Sequence, residues 1–316
     1  MRTLGLDTSN YTTSAAVFDG AGGFNAGRLL EVRAGGLGLR QSEALFQHVK
    51  ALPERMAELK KAGMLRDISA VAASTRPREV EGSYMPCFLA GEGLGRSVAS
   101  LLDVPFFAVS HQQGHLAAAA WSAGKTELLN APFLAWHLSG GTTELLYAQP
   151  DGVNVKAECI GGTSDISAGQ LIDRAGVLLG LAFPAGRALD ELSRQSDARG
   201  ELFRVKLNGL EFSLSGVENK VKAMVEGGAE GTAVAQFVLE TVADVVRRAT
   251  LEAQERFPGL PVLCSGGVAS NTRLRQVLCE ACSAVFSQPK YAVDNAMGVA
   301  ILAHRLAEAA KEKVRG

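Results

Sequence analysis

Phe133-Leu134-Ala135-Trp136-His137-Leu138-Ser139-Gly140-Gly141-Thr142-Thr143-Glu144-Leu145-Leu146-Tyr147-Ala148 reads as an apolar strand, a turn of small residues, and a returning strand. The same grammar stands at the start of the chain. Leu4-Gly5-Leu6-Asp7-Thr8-Ser9 runs through Asn10-Tyr11-Thr12-Thr13 and returns as Ser14-Ala15-Ala16-Val17-Phe18-Asp19. Strand, hydroxyl or glycine turn, strand thus occurs twice, at residues 4–19 and 133–148. Each turn offers hydroxyls and backbone N–H groups to an anion, although either one alone is equally an ordinary hairpin.

A third strand end points the same way. Pro261-Val262-Leu263-Cys264 is followed by Ser265-Gly266-Gly267-Val268-Ala269-Ser270-Asn271 and a helix over 272–284. A double glycine before a helix N-terminus is a ready anion or nucleotide site. Tight turns need glycine anyway, but three such turns at strand ends are more specific than one. Between them, Leu45, Val49, Leu52, Met56 and Leu59 predict an amphipathic helix over 41–61, interrupted at Pro53. A strand over 68–73 leads into a charged loop at 74–83, and 85–102 reads as a helix whose small residues Ala90, Gly91, Gly93 and Gly95 permit close packing. Further helices are predicted over 167–181 and 234–257, the latter burying Val238, Val242, Val245 and Ala249. A Pro/Gly break falls at 183–186, and the polar stretch 194–204 reads as a surface connection. Duplicated hairpins within such an alternation are what an α/β, two-lobed actin-like/sugar-kinase ATPase (ASKHA) fold produces, with duplicated lobes around a central cleft. The expected lobes are 1–110 plus 295–316, and 111–294.

Composition fits that size and class. The 316 residues suit two lobes, and 47% hydrophobic content with 35 glycines argues against disorder. A formal net charge of -1 leaves no global basic footprint, so a nucleic acid would have to be held by a local patch or a partner. The start passes directly into a strand, with no signal peptide expected, and no apolar run approaches a membrane span. Five scattered cysteines suit a reducing cytoplasm. Cys279 and Cys282 form a Cys-x-x-Cys inside a helical pattern without a second pair, which does not make a zinc knuckle.

The chemistry concentrates at Ser110-His111-Gln112-Gln113-Gly114-His115, which follows the strand-like 104–109. Histidines four apart lie on one helix face, so both imidazoles reach one ion. Spacing alone leaves equally open a helix N-terminus with two hydrogen-bonded histidines. A metalloprotease would place Glu after the first histidine as its base; Gln112 stands there and accepts no proton at neutral pH.

Taken together the motifs resemble the TsaD family of tRNA N6-adenosine threonylcarbamoyltransferases across nearly the whole chain. They occur in that family's order: residues 4–9, His111-x-x-Gly114-His115, Leu138-Ser139-Gly140-Gly141, Asp165 through Asp173 to Gly186, Phe212-Ser213-x-Ser215-Gly216, Gly266-Gly267-Val268-x-x-Asn271, and Asp294-Asn295-Ala296-Met297. The resemblance implies an acyltransferase in which His111, His115 and Asp294 bind one divalent ion between the lobes, iron(II) by resemblance and zinc as the other candidate. Two imidazoles make magnesium less natural. The nucleotide-side positions fall on His137, Leu138, Ser139, Gly140, Gly141, Asp173, Gly186 and Asn271, for ATP, AMP or threonylcarbamoyl-AMP. Asp173 would accept ribose hydroxyls, and Gly186 would let backbone approach the ligand. The implied reaction transfers threonylcarbamoyl from threonylcarbamoyl-AMP to N6 of adenosine 37 in ANN-decoding tRNA. TsaB-like and TsaE-like proteins are the implied partners, no membrane is involved, and a dimer is compatible with the sequence. No residue is singled out as catalytic.

The chain departs from the family pattern at several places. The first turn carries Asn10-Tyr11-Thr12 in place of an acidic pair, and 75–82 replace a Gly-Pro-Gly loop. Thr142 stands for His, Ile166 for the second of two Asp, and Gln170 for Glu. These changes remove charge around the expected cleft. The alternative they raise is a paralogue that binds nucleotide and metal as a scaffold, or a carbamoyl or phosphoryl transferase acting on another substrate.

Overall fold

In the computed structural model, which describes residues 1–9, 11–31, 39–196 and 201–315, the duplicated hairpins nucleate two sheets. The first contains β1 (Arg2–Thr8), β2 (Thr12–Phe18), β3 (Gly23–Leu29), β4 (Ile68–Arg76) and β5 (Phe106–Ser110), in the order β3-β2-β1-β4-β5. β1 and β2 are antiparallel with Thr8 opposite Thr13, and β2 and β3 are antiparallel. β4 and β5 add in parallel, and parallel neighbours need crossovers. Helices α1 (Gln41–Lys61) and α2 (Phe88–Leu102) supply them, and α3 (His111–Ser122) follows β5 directly.

The second sheet repeats this plan. β6 (Phe133–Leu138) and β7 (Thr143–Asp151) form the hairpin, followed by β8 (Asn154–Thr163), α4 (Ala168–Leu178) and α5 (Gly186–Ser193). The short β9 (Leu207–Asn208) and β10 (Glu211–Phe212) precede α6 (Ser215–Glu226) and α7 (Gly231–Arg256). Then come β11 (Val262–Ser265), α8 (Thr272–Cys282), β12 (Val285–Phe286) and α9 (Met297–Arg315). The strand order is β12-β11-β6-β7-β8-β10-β9. β6 is antiparallel to β7 and parallel to β11, and β11 is parallel to β12. The core order around β6 therefore matches that around β1, as the repeated sequence grammar predicts.

The chain divides into one unit of Met1–Ala131, Gln149–Ala157 and Asp294–Gly316, and another of Pro132–Ala148 and Glu158–Val293. The first is built on Leu4, Leu6, Val17, Leu52, Leu59 and Val71. The second is built on Trp136, Leu138, Leu145, Leu171, Phe212 and the α7 stripe of Val238, Val242, Val245 and Ala249. The expected division placed α3 and Asp294 with the second lobe; both fall in the first unit. The reason is packing. A Cβ on Gly298 of α9 would lie 1.7 Å from the Gly114 carbonyl oxygen of α3, and one on Gly5 of β1 would lie 2.3 Å from the Ala300 nitrogen of α9. β1, α9 and α3 are thus stacked backbone on backbone, which holds α3 where its alanines are fully buried.

Three local expectations also change. Pro53 does not interrupt α1, which is continuous over Gln41–Lys61. The proline removes one hydrogen bond to the Val49 carbonyl, but Val49 lies on the exposed side of the helix, and Leu52 and Leu59 stay packed. The buried stripe of α1 is accordingly Ala44, His48, Leu52, Arg55 and Leu59, with His48 in the place expected for Val49. β4 runs on to Arg76, so the charged loop begins later than the composition indicates. Asn10 and residues 197–200 of the expected surface connection lie outside the described residues. Among the described residues no helix is long and apolar enough to cross a membrane.

Candidate metal centre and nucleotide-side turns

Ser110 starts α3 with a capping box: its hydroxyl accepts from the Gln113 N–H, and the Gln113 side chain accepts from the Ser110 N–H at 2.8 Å. This fixes the first turn, where His111 and His115 project from one face. Asp294 stands at the head of α9, which the glycine contacts press against α3. His111 Nε2 lies 2.9 Å from His115 Nε2, and Asp294 Oδ1 lies 3.1 Å from His115 Nε2 and 3.6 Å from His111 Nε2. Two atoms bound at the usual 2.0–2.2 Å to one ion, subtending about 90–109°, are about 2.8–3.6 Å apart. The donor set therefore fits a metal in both type and spacing, and a group of these three residues is found.

Two residues complete the arrangement that sequence spacing does not reveal. Asp7, at the buried end of β1, places Oδ2 2.7 Å from His111 Nδ1. Carboxylates in this position fix a ligating imidazole's tautomer and raise its basicity. Ser9 joins the two carboxylates, donating its N–H to Asp7 Oδ1 at 2.9 Å and its hydroxyl to Asp294 Oδ2 at 3.3 Å. Asp7 sits inside a stretch that the resemblance covers, and an acid at the inner end of a buried strand is the signal that marks it.

Charge decides the protonation state. Burial alone would lower the His111 imidazole, but Asp7 and Asp294 outweigh it and raise it to about 10. Burial pushes both carboxyls up, yet the histidines hold Asp7 below and Asp294 well below the ordinary range. Two carboxylates with two neutral imidazoles balance a dication; without one, a proton on His111 takes part of that role.

In the second unit the expected nucleotide-side residues stand on turns and helix ends held by separate local contacts. β6 lies beside β11 with His137 opposite Ser265, so the turns after both strands are adjacent. Gly266 adopts φ +94°, and a Cβ there would meet the Leu138 carbonyl oxygen at 2.1 Å, so only glycine fits this approach. The Ser139-Gly140-Gly141 turn is closed by Ser139 N–H to the Thr142 carbonyl at 2.8 Å and Thr142 N–H to Ser139 Oγ at 3.1 Å. Ser167, which caps α4, donates to the Gly140 carbonyl at 2.7 Å. From α4, Asp173 Oδ1 accepts the Ala185 N–H at 2.8 Å, placing Gly186 at the start of α5. Nothing closer than Ile172 Cγ2 at 3.8 Å crowds a Cβ on Gly186, so protein packing does not demand that glycine.

Asn271 caps α8, accepting from the Leu274 N–H at 2.9 Å and donating to Asp190 Oδ1 at 2.7 Å. Asp190 also accepts from the Thr272 hydroxyl at 2.7 Å. A resident carboxylate thus sits beside the α8 N-terminus that the sequence offers to an anion. Asp190, one helical turn beyond Gly186, was not singled out by sequence reasoning. The departed positions are also occupied: Arg76 of the altered loop pairs with Glu79, and the Gln112 N–H donates to the Pro77 carbonyl at 3.0 Å.

Comparison with known proteins agrees with this architecture. Solved structures with the same fold include component A of (R)-2-hydroxyglutaryl-CoA dehydratase from Acidaminococcus fermentans (TM-score 0.55, 15% identity, 98% of this chain and 99% of that one). They also include full-length HypF in a phosphate- and nucleotide-bound form (TM-score 0.62, 15% identity, 97% and 56%). A ROK family glucokinase from Streptomyces griseus aligns at TM-score 0.52 and 14% identity over 96% and 100%. At these identities they establish the two-lobed ASKHA fold alone. Two sequence relatives, both tRNA N6-adenosine threonylcarbamoyltransferases, are closer. That of Granulibacter bethesdensis is 32% identical over 94% of this chain and 86% of its own. That of Thermus thermophilus is 34% identical over 82% and 78%. With the family model for tRNA N6-adenosine threonylcarbamoyltransferase matching residues 34–301, the chain belongs to the TsaD family and is an acyltransferase of that class.

Proposed function

We propose that this chain transfers threonylcarbamoyl to N6 of adenosine 37 in ANN-decoding tRNA, with His111, His115 and Asp294 holding one divalent ion, iron(II) or zinc. What supports this reading is the convergence of three donor atoms at separations that the ligands of one ion would have, buttressed by the buried Asp7. Bound there, the ion would supply Lewis acidity and an anchor for ligand oxygens. The chain's own residues do the rest. Asp7 keeps His111 in one tautomer, and Ser9 fixes Asp294. The Ser139-Gly140-Gly141 turn, with Asp173, Gly186 and Asn271, is the proposed seat of the AMP moiety of threonylcarbamoyl-AMP. The N6 nitrogen attacks the carbamoyl carbon, the new C–N bond replaces the bond to phosphate oxygen, AMP leaves, and the proton lost from N6 passes to solvent. TsaB-like and TsaE-like partners in the cytoplasm would serve the same reaction, and with a net charge of -1 such partners would help hold the RNA.

The test is nucleoside analysis of tRNA from cells whose own transferase is replaced by this chain. Restored threonylcarbamoyladenosine, lost again in His111→Ala, is expected. Absence of the modified nucleoside in cells that contain the folded, nucleotide-binding protein would overturn the reading.

A further inference from the structure

Asn25 stands on β3, the edge strand of the first sheet, where most side chains are exposed. Its amide nevertheless turns inward to the head of α9. Oδ1 accepts the Ala296 N–H at 3.0 Å, a contact between residues 271 positions apart in the chain. Strand pairing shows what this contact does. Gly5 of β1 lies opposite Ala16 of β2, and Ala16 lies opposite Asn25 of β3, so the three form one rung across the sheet. Directly opposed residues share a face, and this rung faces α9. A Cβ on Gly5 would lie 2.7 Å from the Ala296 carbonyl oxygen. That carbonyl begins the α9 ladder by accepting the Ala300 N–H at 3.0 Å. Residue 296 is therefore held at both polar atoms by one rung, its carbonyl against bare Gly5 and its N–H on Asn25.

The first N–H groups of a helix find no partner within it and need one from outside. Met297 is served locally, by Asn295 Oδ1 at 3.0 Å. Ala296 is fully buried, and its N–H takes its acceptor from β3. Asp294 lies two residues before this grip. Asp7 lies two residues along β1 from Gly5, on the same face by strand alternation, and meets His111 at 2.7 Å. One sheet face thus places Asp7 directly and Asp294 through Ala296. Ser9 reaches Asp294 Oδ2 at 3.3 Å, which steers the carboxylate rather than its backbone. Any shift of 294–296 would move Asp294 Oδ1 from its 3.1 Å approach to His115 Nε2. An asparagine at position 25 supplies the acceptor without adding a third carboxylate to Asp7 and Asp294.

We propose that Asn25 is a positioning residue for the metal site: by holding the Ala296 N–H against the Gly5–Ala16–Asn25 rung, it fixes where Asp294 presents its carboxylate to the histidine pair. The proposal rests on the triad reading above. It makes the edge strand of the sheet part of the support of the site.

Zinc affinity of the purified full chain, measured by competition with a chromophoric chelator, tests it, with the melting temperature of the metal-free protein recorded alongside. Asn25→Ala removes the acceptor and should weaken zinc binding about tenfold, the lower end of the range for outer partners of metal ligands. Asn25→Asp keeps an acceptor at the same reach and should recover most of the loss. Leu59→Ala, a core truncation among Leu4 and Leu6 on the other face of the sheet, is the control: it should lower the melting temperature and leave zinc affinity unchanged. Because the effect passes through Asp294, Asn25→Ala/Asp294→Ala should bind no more weakly than Asp294→Ala alone. Wild-type affinity in Asn25→Ala overturns the proposal, as does an equal loss in Leu59→Ala or a double variant whose losses multiply. His111→Ala separates the two readings. If it retains zinc, the triad itself is wrong; if it loses zinc while Asn25→Ala does not, the triad stands and Asn25 only caps α9.

Discussion

Asp7 brings a negative charge to a position with no solvent exposure, and His111 offsets it at 2.7 Å. Asp7→Asn preserves shape but removes that charge. Zinc affinity should fall about 10–100-fold, the usual loss when a partner of a metal-bound histidine is removed. In the metal-free protein the His111 titration, followed by NMR, should move from about 10 back toward 6.5. The sign for stability follows. A value raised by folding means the pair stabilises fully below pH 6.5, and the contribution is lost as pH rises through about 10. The metal-free variant should show a smaller alkaline decline, since Asp294 still faces His111; an unchanged pH profile would remove Asp7 from the account. At this scale the sequence was partly legible. Helical spacing brought His111 and His115 together, but the partners that make them a site come from positions 7, 9 and 294. Only the fold, or a resemblance to a known family, joins residues so far apart.

Elements position these residues through contacts that leave no room for a side chain. Gly298→Ala would drive a methyl into the Gly114 carbonyl, and backbone rather than a flexible side chain would have to move. Overpacking of this kind costs about 1–3 kcal/mol. Since α3 carries the two histidines and Asp294 lies just before α9, zinc affinity at the proposed site should drop with the melting temperature, and normal affinity at normal stability would contradict the stacking. A second element is held by charge. Asp165 accepts from the Ser213 hydroxyl and from the Leu214 N–H at 2.8 Å and Ser215 N–H at 3.2 Å, at the start of α6. Burial opposes ionisation, but these donors together outweigh it and hold the carboxyl well below its ordinary 3.8. The stabilisation is therefore full above about pH 4 and fades as pH falls below it. Asp165→Asn should lower stability at pH 7 by about 1 kcal/mol, as loss of a cap does, and the difference should narrow in acid unfolding curves as pH falls from about 4 toward 2. The strand-turn-strand repeats and most helices were legible because periodicity is local. The short β9, β10 and β12 were not, since two residues carry no period. Pro53 misled because its carbonyl partner lies on the wet face of α1.

For the whole chain, the division into units separates the proposed metal residues from the proposed nucleotide residues. The triad, Asp7 and Ser9 lie in the first unit, while residues 137–141, Asp173, Gly186 and Asn271 lie in the second. The lobes expected from the sequence already returned 295–316 to the first, but their cuts after residues 110 and 294 left the histidine pair and Asp294 in the second. Linkage then predicts where each ligand acts. A ligand at a hundred times its dissociation constant stabilises the state that binds it by about 2.7 kcal/mol. Local openings that do not break its site are left unaffected. Zinc added to the full chain should therefore slow amide exchange in β1, α3 and the start of α9, where opening releases a ligand. AMP should slow exchange instead in the turns 138–143 and 265–272 and at the start of α5. Hydrogen exchange followed by mass spectrometry reads both patterns in one protein. Zinc protection centred on β6 and β11 would mean that the ion is held by the second unit's residues. AMP protection confined to α3 would mean that the glycine turns serve the fold and that the nucleotide binds elsewhere. Because the two patterns share no peptide, either assignment can fail without taking the other with it.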